Sequence, residues 1–258
     1  MEPVTICAPS YRRPRGVDTL KYLPGARIYV SRDEAREYRA ANPGADIVAV
    51  DPKHQGNVCR IRNHILDREM VGGRAVLIVD DDLQGIWRWE RLERKRLETE
   101  ADVRAFLARY TALCREWGCP SWGVNVNSDG QVYREQTPFS LRSYVGGPFM
   151  VHVKHSCRYD ERLPLKEDYD FTLQLLNRYR RILRVNAYYY LTLQMAQPGG
   201  CATYRSVDAE REQLAVLQRK WGSDIVRADS LASSRNHLTK KKRNYDVNPI
   251  IHPPIAGV

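Results

Sequence analysis

Three consecutive aspartates, Asp80, Asp81 and Asp82, follow an apolar run at residues 75–79 that is typical of a strand buried on both faces. Three neighbouring carboxylates repel one another unless a cation neutralises them. Hard oxygen ligands suit Mg²⁺ or Mn²⁺, and either ion can also bind a phosphate group. An isolated acidic triplet is more often a helix cap or a solvated turn, but ligands of open α/β sheets bind at the carboxyl ends of strands. The position of the triplet therefore predicts a metal and diphosphate site.

A second acidic cluster, Glu167, Asp168 and Asp170, opens a predicted helix. A carboxylate at a helix N-terminus is stabilised by the helix dipole and by backbone amides, so it can accept a proton from an acceptor hydroxyl. Taken alone, the cluster fits plain helix capping better. Together with the triplet it favours a chemical role, and we predict Asp168 and Glu167 as the catalytic carboxylates.

A glycine pair, Gly146 and Gly147, lies about twenty residues before this cluster. Glycine lets a ligand approach the backbone closely, although the same pair is also compatible with a bulge. Arginine binds phosphate oxygens through two parallel hydrogen bonds, and several arginines follow the first strand or lie on the helix before the triplet. They are Arg12, Arg13, Arg15, Arg60 and Arg62. We expect one or two of them to bind a diphosphate or a nucleoside and the others to be solvated.

Short β-rich runs alternate with helical patterns through the first two thirds of the chain, which is typical of a mostly parallel sheet flanked by helices. Predicted strands lie at residues 4–8, 26–30, 46–50, 75–79, 121–127, 144–153 and 181–191, and predicted helices at 31–42, 57–69, 99–117, from 167 onward and at 207–221. Ser31 with Glu34 predicts a capping box for the first helix. We expect one α/β domain at residues 1–230, followed by a basic tail or lid at 231–258.

The composition, 43% hydrophobic and 28% charged, is ordinary for a globular protein. No apolar run is long enough to span a membrane and the N-terminus lacks the features of a signal peptide, so we expect a cytoplasmic protein. The six cysteines have no zinc or redox spacing and are predicted to be reduced thiols. The net charge of +10 favours a polyanionic partner such as nucleic acid, or alternatively serves solubility and diphosphate binding.

Taken in order, these segments resemble a GT-A fold glycosyltransferase of the family-2-like layout, over residues 3–195. The resemblance rests on the motifs Ala8-Pro9-Ser10-Tyr11-Arg12, Gly56-Asn57, Arg60 to Asn63, Asp80 to Asp82, Gly146-Gly147, Tyr159-Asp160-Glu161 and Glu167-Asp168. It implies a Rossmann-like sheet, a UDP-sugar as donor and a Mn²⁺ or Mg²⁺ ion as cofactor.

The same resemblance implies roles for individual residues. The donor-binding residues would be Pro9, Tyr11, Arg12, Arg60, Asn63, Asp80, Asp81, Gly146 and Gly147. Asp82 would bind the metal, Asp80 would face the ribose or the metal, and a histidine of the C-terminal segment would complete the shell. For that ligand we predict His237 in preference to His252. In inverting members, the aspartate that matches Asp168 deprotonates the acceptor.

More narrowly, the small size, the basic charge and the sequences Asp-Asp-Asp and Lys-Glu-Asp-Tyr-Asp are similar to the TET-associated glycosyltransferases of bacteriophages. That resemblance implies transfer to 5-hydroxymethyl-pyrimidines in double-stranded DNA, with the base flipped towards the donor. A phage origin would place the reaction in the host cytoplasm. The predicted acceptor or DNA contacts are Trp87, Trp89, Arg134, Arg142, Lys240 and Lys241. Core packing is the alternative for the two tryptophans.

These observations favour a metal-dependent transferase that moves a hexose or an N-acetylhexosamine to 5-hydroxymethylcytosine in DNA, with inversion and with Asp168 as the base. A protein or polysaccharide acceptor is one alternative, and a non-enzymatic, basic nucleic-acid-binding module is another. A nucleotidyltransferase would need a glycine-rich basic loop after the first strand, which residues 9–13 do not supply. The sequence indicates no obligate protein partner, and it leaves the donor sugar and a retaining outcome open.

Overall fold

The computed structural model describes residues 3–91, 93–129, 133–193, 199–228 and 247–255. Most strands of this described part form one central sheet. They are β1 (Thr5–Pro9), β2 (Arg27–Ser31), β3 (Asp46–Val50), β4 (Val76–Val79), β5 (Leu83–Glu90), β6 (Glu93–Arg96), β7 (Ser121–Asn125), β8 (Phe139–Ser140), β9 (Phe149–His152) and β10 (Leu183–Thr192). Two short strands, β11 (Val226–Ala228) and β12 (Pro249–Ile251), pair with each other instead.

The central sheet has a parallel half and a mixed half. Its strands lie in the order β3-β2-β1-β4-β9-β7-β10-β5-β6, and β8 pairs with β10. The first four strands of this order are parallel, whereas β9 runs antiparallel to both β4 and β7. Because β1 and β4 are parallel neighbours, their carboxyl ends meet at one edge of the sheet. Ser10 and Asp80 follow them there.

Helices cover both faces of the sheet. They are α1 (Thr19–Tyr22), α2 (Ala35–Ala41), α3 (Val58–Glu69), α4 (Glu100–Glu116), α5 (Glu167–Tyr179) and α6 (Val207–Trp221). Helices α1, α2 and α4 pack on one face in the larger hydrophobic cluster, and α3 and α5 pack on the other face. Among the described residues, no helix combines the length and the apolar character needed to cross a membrane.

The predicted α/β architecture is confirmed, and most observed elements lie within a few residues of their predicted bounds. The predicted strand at 144–153 is shorter than expected, because only Phe149–His152 pairs in the sheet and the residues before it form a loop. All six cysteines are free, as expected. The predicted boundary between residues 230 and 231 falls outside the described residues and stays a prediction.

The predicted capping box at the start of α2 is wrong. The helix begins at Ala35 without a side-chain cap, and Ser31 belongs to β2. The Glu34 carboxylate instead accepts a hydrogen bond from the backbone N of Arg12 at 3.0 Å. Glu34 therefore holds the loop after β1, which a local sequence pattern could not indicate.

A buried histidine pair packs beneath α5. His152 on β9 is fully buried, and its Nδ1 lies 2.9 Å from Nε2 of His155. Both rings pack edge-on against Phe171 of α5, with ring centroids 5.4 Å apart in each case. Burial lowers the pKa of His155 to about 4 and the pKa of His152 well below its ordinary value. Both rings are therefore neutral at pH 7.

We expect His155→Gln to change the pH dependence of stability. A histidine with a lowered pKa binds fewer protons in the folded than in the unfolded state, so stability is lost as pH falls from about 6.5 towards 4. Over this window the wild type should lose about 2–3 kcal/mol more unfolding free energy than His155→Gln. Urea unfolding at a series of pH values measures the difference. The exposed control His252→Gln should follow the wild type, and equal losses in all three proteins would contradict the prediction.

Candidate active site

A cleft of about 540 Å³ opens at the carboxyl ends of β1 and β4. Its walls include the loop after β1, the first turn of α3, Asp80 and Asp82 of the acidic triplet, and the first turn of α5. Several residues predicted from the sequence line it together, namely Pro9, Tyr11, Asp80, Asp82, Glu167 and Asp168. The fold thus brings the two acidic clusters into one cavity.

The three aspartates of the triplet have different surroundings. Asp81 is fully buried, and its carboxylate accepts hydrogen bonds from Ser10 Oγ and from the guanidinium of Arg13, whose Nε lies at 2.7 Å. Burial raises the pKa of Asp81 to about 6, and the charge of Arg13 opposes that shift. With both oxygens occupied, Asp81 holds the loop after β1 against the end of β4. The structure does not bring its carboxylate to the cleft.

Arg62 of α3 connects two of the predicted site carboxylates. Only 2% of its surface is exposed; Nη2 lies 2.9 Å from Oδ1 of Asp80, and Nη1 lies 2.8 Å from Oε1 of Glu167. Burial raises the pKa of Glu167 to about 7, repulsion by Asp168 adds to the shift, and Arg62 opposes it. One buried cation therefore ties the end of β4 to the start of α5.

Gly147 passes close to this guanidinium. A Cβ atom at position 147 would lie 2.7 Å from Nη1 of Arg62 and 3.1 Å from Cβ of Asp168, so a side chain there would displace one of them. At Gly146, a Cβ atom would lie 2.7 Å from the hydroxyl of Tyr190. The glycine pair thus permits close packing around the carboxylates. Neither glycine lines the cleft, as donor binding would require.

Asp168 is the second residue of α5, and its carboxylate lies in the cleft. Oδ2 accepts hydrogen bonds from the Tyr144 hydroxyl and from the backbone N of Gly147 at 3.1 Å, while Oδ1 accepts one from the backbone N of Tyr169 at 2.8 Å. The rings of Tyr144 and Tyr169 are stacked, with centroids 4.3 Å apart. Burial and the Asp168 charge raise the pKa of Tyr144 well above its ordinary value, so its hydroxyl keeps its proton and donates. The donors that orient this carboxylate are all neutral among the residues that the structure describes.

Asp82 has an oxygen without a partner. The residue is 7% exposed, and Oδ1 is buried with no hydrogen-bond partner in the described part of the chain. Burial raises the pKa of Asp82 to about 7, and the charges of Asp80 and Asp81 add to the shift. A divalent cation would satisfy this oxygen and offset the repulsion, so the residues fit such an ion.

Few protein ligands for an ion lie among the described residues. Across these ranges, no group of three or more His, Cys, Asp or Glu side chains is arranged to hold a metal. Asp82 and Asp80 would hold such an ion from this part of the chain, and phosphate oxygens and water are common further ligands of Mg²⁺.

Three other predicted donor-binding residues lie outside the cleft. Arg12 is exposed, and its guanidinium lies 4.9 Å from the centroid of the neighbouring tyrosine ring. The Nε atom of Arg60 lies 2.8 Å from the carboxylate of Glu161 at the surface. Asn63 exchanges two hydrogen bonds with the backbone of Tyr159, at 2.7 and 2.9 Å. The contacts of Arg60 and Asn63 hold the segment before α5 against α3.

The described residues predicted to contact the acceptor do not line the cleft. Trp87 and Trp89 lie on β5, and their rings contact Tyr189 of β10 at centroid distances of 6.2 and 5.9 Å. Arg134 is exposed in the loop after β7, and Arg142 donates to a backbone carbonyl of the C-terminal segment at 2.6 Å. Outside the described residues lie His237, Lys240 and Lys241.

The cleft also has walls that the sequence analysis missed. Gly199 and Gly200 close over the loop after β1: the backbone N of Gly200 donates to the carbonyl of Tyr11 at 3.0 Å, and a Cβ at Gly199 would lie 2.7 Å from that oxygen. This second glycine pair carried the same signal as the first and could have been recognised. Lys166 is 1% exposed and pairs with Glu210 of α6. No local sequence pattern indicates that Lys166 forms this buried ion pair, because its partner is 44 residues away.

We expect Arg62→Met to lower the free energy of unfolding by about 3–5 kcal/mol, because Asp80 and Glu167 would lose their shared buried cation. Arg60→Met, on the exposed side of the same helix, should cost less than about 1 kcal/mol. The double variant Arg62→Met with Glu167→Gln should recover part of the loss, since one unpaired charge is then absent. Urea unfolding measures the free energy of unfolding of all three variants. Equal losses in Arg62→Met and Arg60→Met would contradict the prediction.

Comparison with solved structures finds distant similarity. Crystal structures of S. aureus TarS 1-349, alone and in complex with UDP, are 12% and 14% identical in sequence, with TM-scores of 0.43 and 0.42. In both cases the match covers 84% of this chain and 66% of the other, so the chain spans slightly less than two thirds of the TarS fragment. A UDP-glucose pyrophosphorylase complexed with UDP-glucose is 11% identical with a TM-score of 0.36, over 84% of this chain and 99% of the other.

Sequence comparison identifies the family. No curated protein sequence matches the chain. The family model of the TET-associated glycosyltransferases matches residues 19–200, which include the triplet, the glycine pair at 146–147 and the start of α5. This match covers 182 of the 258 residues. The chain belongs to the TET-associated glycosyltransferase family.

Proposed function

We propose that this protein transfers a hexose or an N-acetylhexosamine from a UDP-sugar to the hydroxyl group of 5-hydroxymethylcytosine, or of a related hydroxymethyl-pyrimidine, in DNA. The proposal includes a divalent metal ion, inversion at the anomeric carbon and action in the cytoplasm. The observation that carries it is the position of Asp168, whose carboxylate shares one cleft with Asp80 and Asp82 and is oriented by neutral donors.

In this mechanism Asp168 is the general base. The three hydrogen bonds to its carboxylate orient it before the acceptor arrives, which lowers the entropic cost of reaction. Asp168 takes the proton of the acceptor hydroxyl while that oxygen forms a bond to the anomeric carbon. The bond from this carbon to the diphosphate oxygen breaks, and the diphosphate leaves with the electron pair. A base of this kind contributes about 10²- to 10⁴-fold in rate.

The charge pairing in the cleft supports metal dependence. Each cationic side chain that lines the described cleft already pairs with a carboxylate; these residues are Arg13, Arg62, Lys166 and Arg205. They are poorly placed to neutralise a departing diphosphate as well. Asp82, with Asp80, would hold Mn²⁺ or Mg²⁺, and the bound ion would supply that positive charge.

The nucleoside of the donor would lie at the end of β1. Pro9 and Tyr11 line the cleft there, as the resemblance to GT-A enzymes implies for a uridine contact. Gly199 and Gly200 cover the same loop, so this end of the cleft is built from two backbone segments in contact. Asp80 follows β4, the parallel neighbour of β1, and would face the ribose or the metal ion.

Two observations support DNA as the acceptor. The net charge of +10 attracts a polyanion over a long range. The family is named for its association with TET, and the resemblance implies hydroxymethyl-pyrimidines as substrates. A base flipped out of the duplex would bring its hydroxymethyl group into the cleft, where the stacked rings of Tyr144 and Tyr169 offer an aromatic surface beside Asp168.

The direct test is incubation of the protein with a panel of UDP-sugars, Mn²⁺ and DNA containing 5-hydroxymethylcytosine, followed by mass spectrometry of the nucleosides. We expect a glycosylated nucleoside that disappears with a chelator and returns with Mn²⁺. Asp168→Asn should lower kcat by about 10²- to 10⁴-fold and leave donor affinity within about twofold. Asp208→Asn, at a fully solvated position of α6, is the control and should keep the wild-type rate. Transfer to protein or polysaccharide without any DNA product would contradict the proposed acceptor.

We expect Tyr144→Phe to lower kcat by about 10- to 100-fold, because Asp168 would lose a hydrogen bond of a neutral donor to a charged acceptor. The KM for the donor should stay unchanged, since the phenyl ring keeps the stack on Tyr169. Tyr169→Phe is the matched control: it keeps both its ring and its backbone N–H to Asp168 and should retain most of the activity. If Tyr144→Phe raised only the donor KM, a positioning role for Tyr144 would be excluded.

A further inference from the structure

The hairpin formed by β5 and β6 extends past the edge of the central sheet. Strand β5 pairs with β10 up to Arg88, which lies opposite Tyr188, whereas its pairing with β6 continues to Glu90. The end of the hairpin is therefore a two-stranded ribbon beyond the last partner on β10. Every residue of β6 is exposed.

This ribbon carries an excess of positive charge. Residues 88–96 contain five basic and two acidic residues, which is a net charge of +3. Glu90 accepts ion pairs from Arg88 at 2.8 Å and from Lys95 at 2.7 Å. Within the described ranges, Arg91, Arg94 and Arg96 form no ion pair with a carboxylate. Nη2 of Arg96 donates to the backbone carbonyl of Gln84 at 2.9 Å, which leaves the guanidinium groups of Arg91 and Arg94 available to a polyanion.

Aromatic rings fix two of these guanidinium groups. In the register of the hairpin, Trp87 lies opposite Arg96 and Trp89 lies opposite Arg94. The guanidinium carbon of Arg96 is 5.4 Å from the Trp87 ring centroid, and that of Arg94 is 6.0 Å from the Trp89 ring centroid. The Trp87 ring in turn stacks on Tyr189 with an interplanar angle of 13°. Cation–π contacts of this kind restrict the arginine side chains before binding, so less entropy is lost when a phosphate binds.

We infer that the β5–β6 hairpin docks the protein on the phosphate backbone of double-stranded DNA. A two-stranded β-ribbon fits the major groove, which is about 12 Å wide, and arginine and lysine side chains supply the backbone contacts. A protein strand adding to β6 is disfavoured, because basic residues on an edge strand oppose such pairing. The inference rests on DNA being the acceptor, as proposed above.

The position of the hairpin connects docking to the cleft. Strand β5 begins at Leu83, directly after Asp82, and Leu83 lies opposite Thr192, which lines the cleft. The hairpin therefore leads from the cleft outward, and DNA held at its far end would lie outside the cavity that contains Asp168. The contacts of the tryptophans would be indirect, since they hold arginines and do not reach the cleft.

The test compares two variants of equal charge. The hairpin variant carries Arg91→Gln, Arg94→Gln and Lys95→Gln, and the control carries Lys154→Gln, Arg211→Gln and Arg219→Gln at exposed positions of other elements. Affinity for duplex DNA containing 5-hydroxymethylcytosine is measured over a series of salt concentrations. We expect the slope of log K against log salt to fall by about 2 in the hairpin variant, because the phosphate contacts of Arg91 and Arg94 are lost. In the control variant this slope should change by less than about 1.

Donor hydrolysis and transfer to the free hydroxymethylated nucleoside are measured with the same proteins. We expect both variants to match the wild type there, which also shows that they are folded. Equal DNA affinities and slopes for the two variants would overturn the inference while the proposed function stands. If the wild type bound no duplex DNA at low salt, the proposed acceptor and the inference would both fail. If the hairpin changes weakened binding to anionic lipid vesicles and left DNA binding intact, the inference would also be overturned.

Discussion

The buried guanidinium of Arg62 is the interaction on which the candidate site depends. A charge with 2% exposure is stable in a protein only where carboxylates and hydrogen bonds replace the lost water. Asp80 at the end of β4 and Glu167 at the start of α5 supply them. Because both must contact the same cation, α5 has one position relative to the sheet edge, and Asp168 is placed with it. Gly147 is required above the guanidinium, since a side chain there would displace it.

The crowded carboxylates differ in what neutralises them, and that difference separates their roles. Asp81 is paired with a loop arginine, and Asp80 shares Arg62 with α5. In the described part of the chain, Asp168 receives only neutral donors, and Asp82 retains a buried oxygen with no partner. A general base must not be neutralised by a fixed cation, because it would then bind a proton poorly. A metal ligand needs an oxygen that no protein donor occupies. Asp168 and Asp82, which have no ion pair within the described ranges, therefore fit these two tasks.

Most of the α/β architecture could be predicted from the sequence, because strands buried on both faces and amphipathic helices leave direct periodic patterns. The hydrogen-bond and ion-pair partners of the individual site residues could not be predicted. Asp80 and Asp81 are adjacent and identical, yet one faces α3 and the other faces the loop after β1. Tyr144 lies 24 residues before its acceptor, and only the loop that replaced the predicted strand brings them together. The β5–β6 hairpin was missed because β6 (Glu93–Arg96) contains only charged residues and has no hydrophobic face, although Trp87 and Trp89 of β5 alternate with charged residues as in a half-buried strand.

The triplet is also the turn between the two halves of the sheet. Strand β4 lies in the parallel half, whereas β5, which follows Asp82 directly, lies beyond β9, β7 and β10 at the other side. The chain therefore crosses the sheet edge at the triplet, and the backbone N of Leu193 holds the crossing by donating to the carbonyl of Asp82 at 3.3 Å. From Asp82 to Trp87 an extended strand spans about 17 Å. A duplex docked on the hairpin would then lie too far from Asp168 to react within its base stack. An extruded nucleotide is the form of acceptor that can cover this distance.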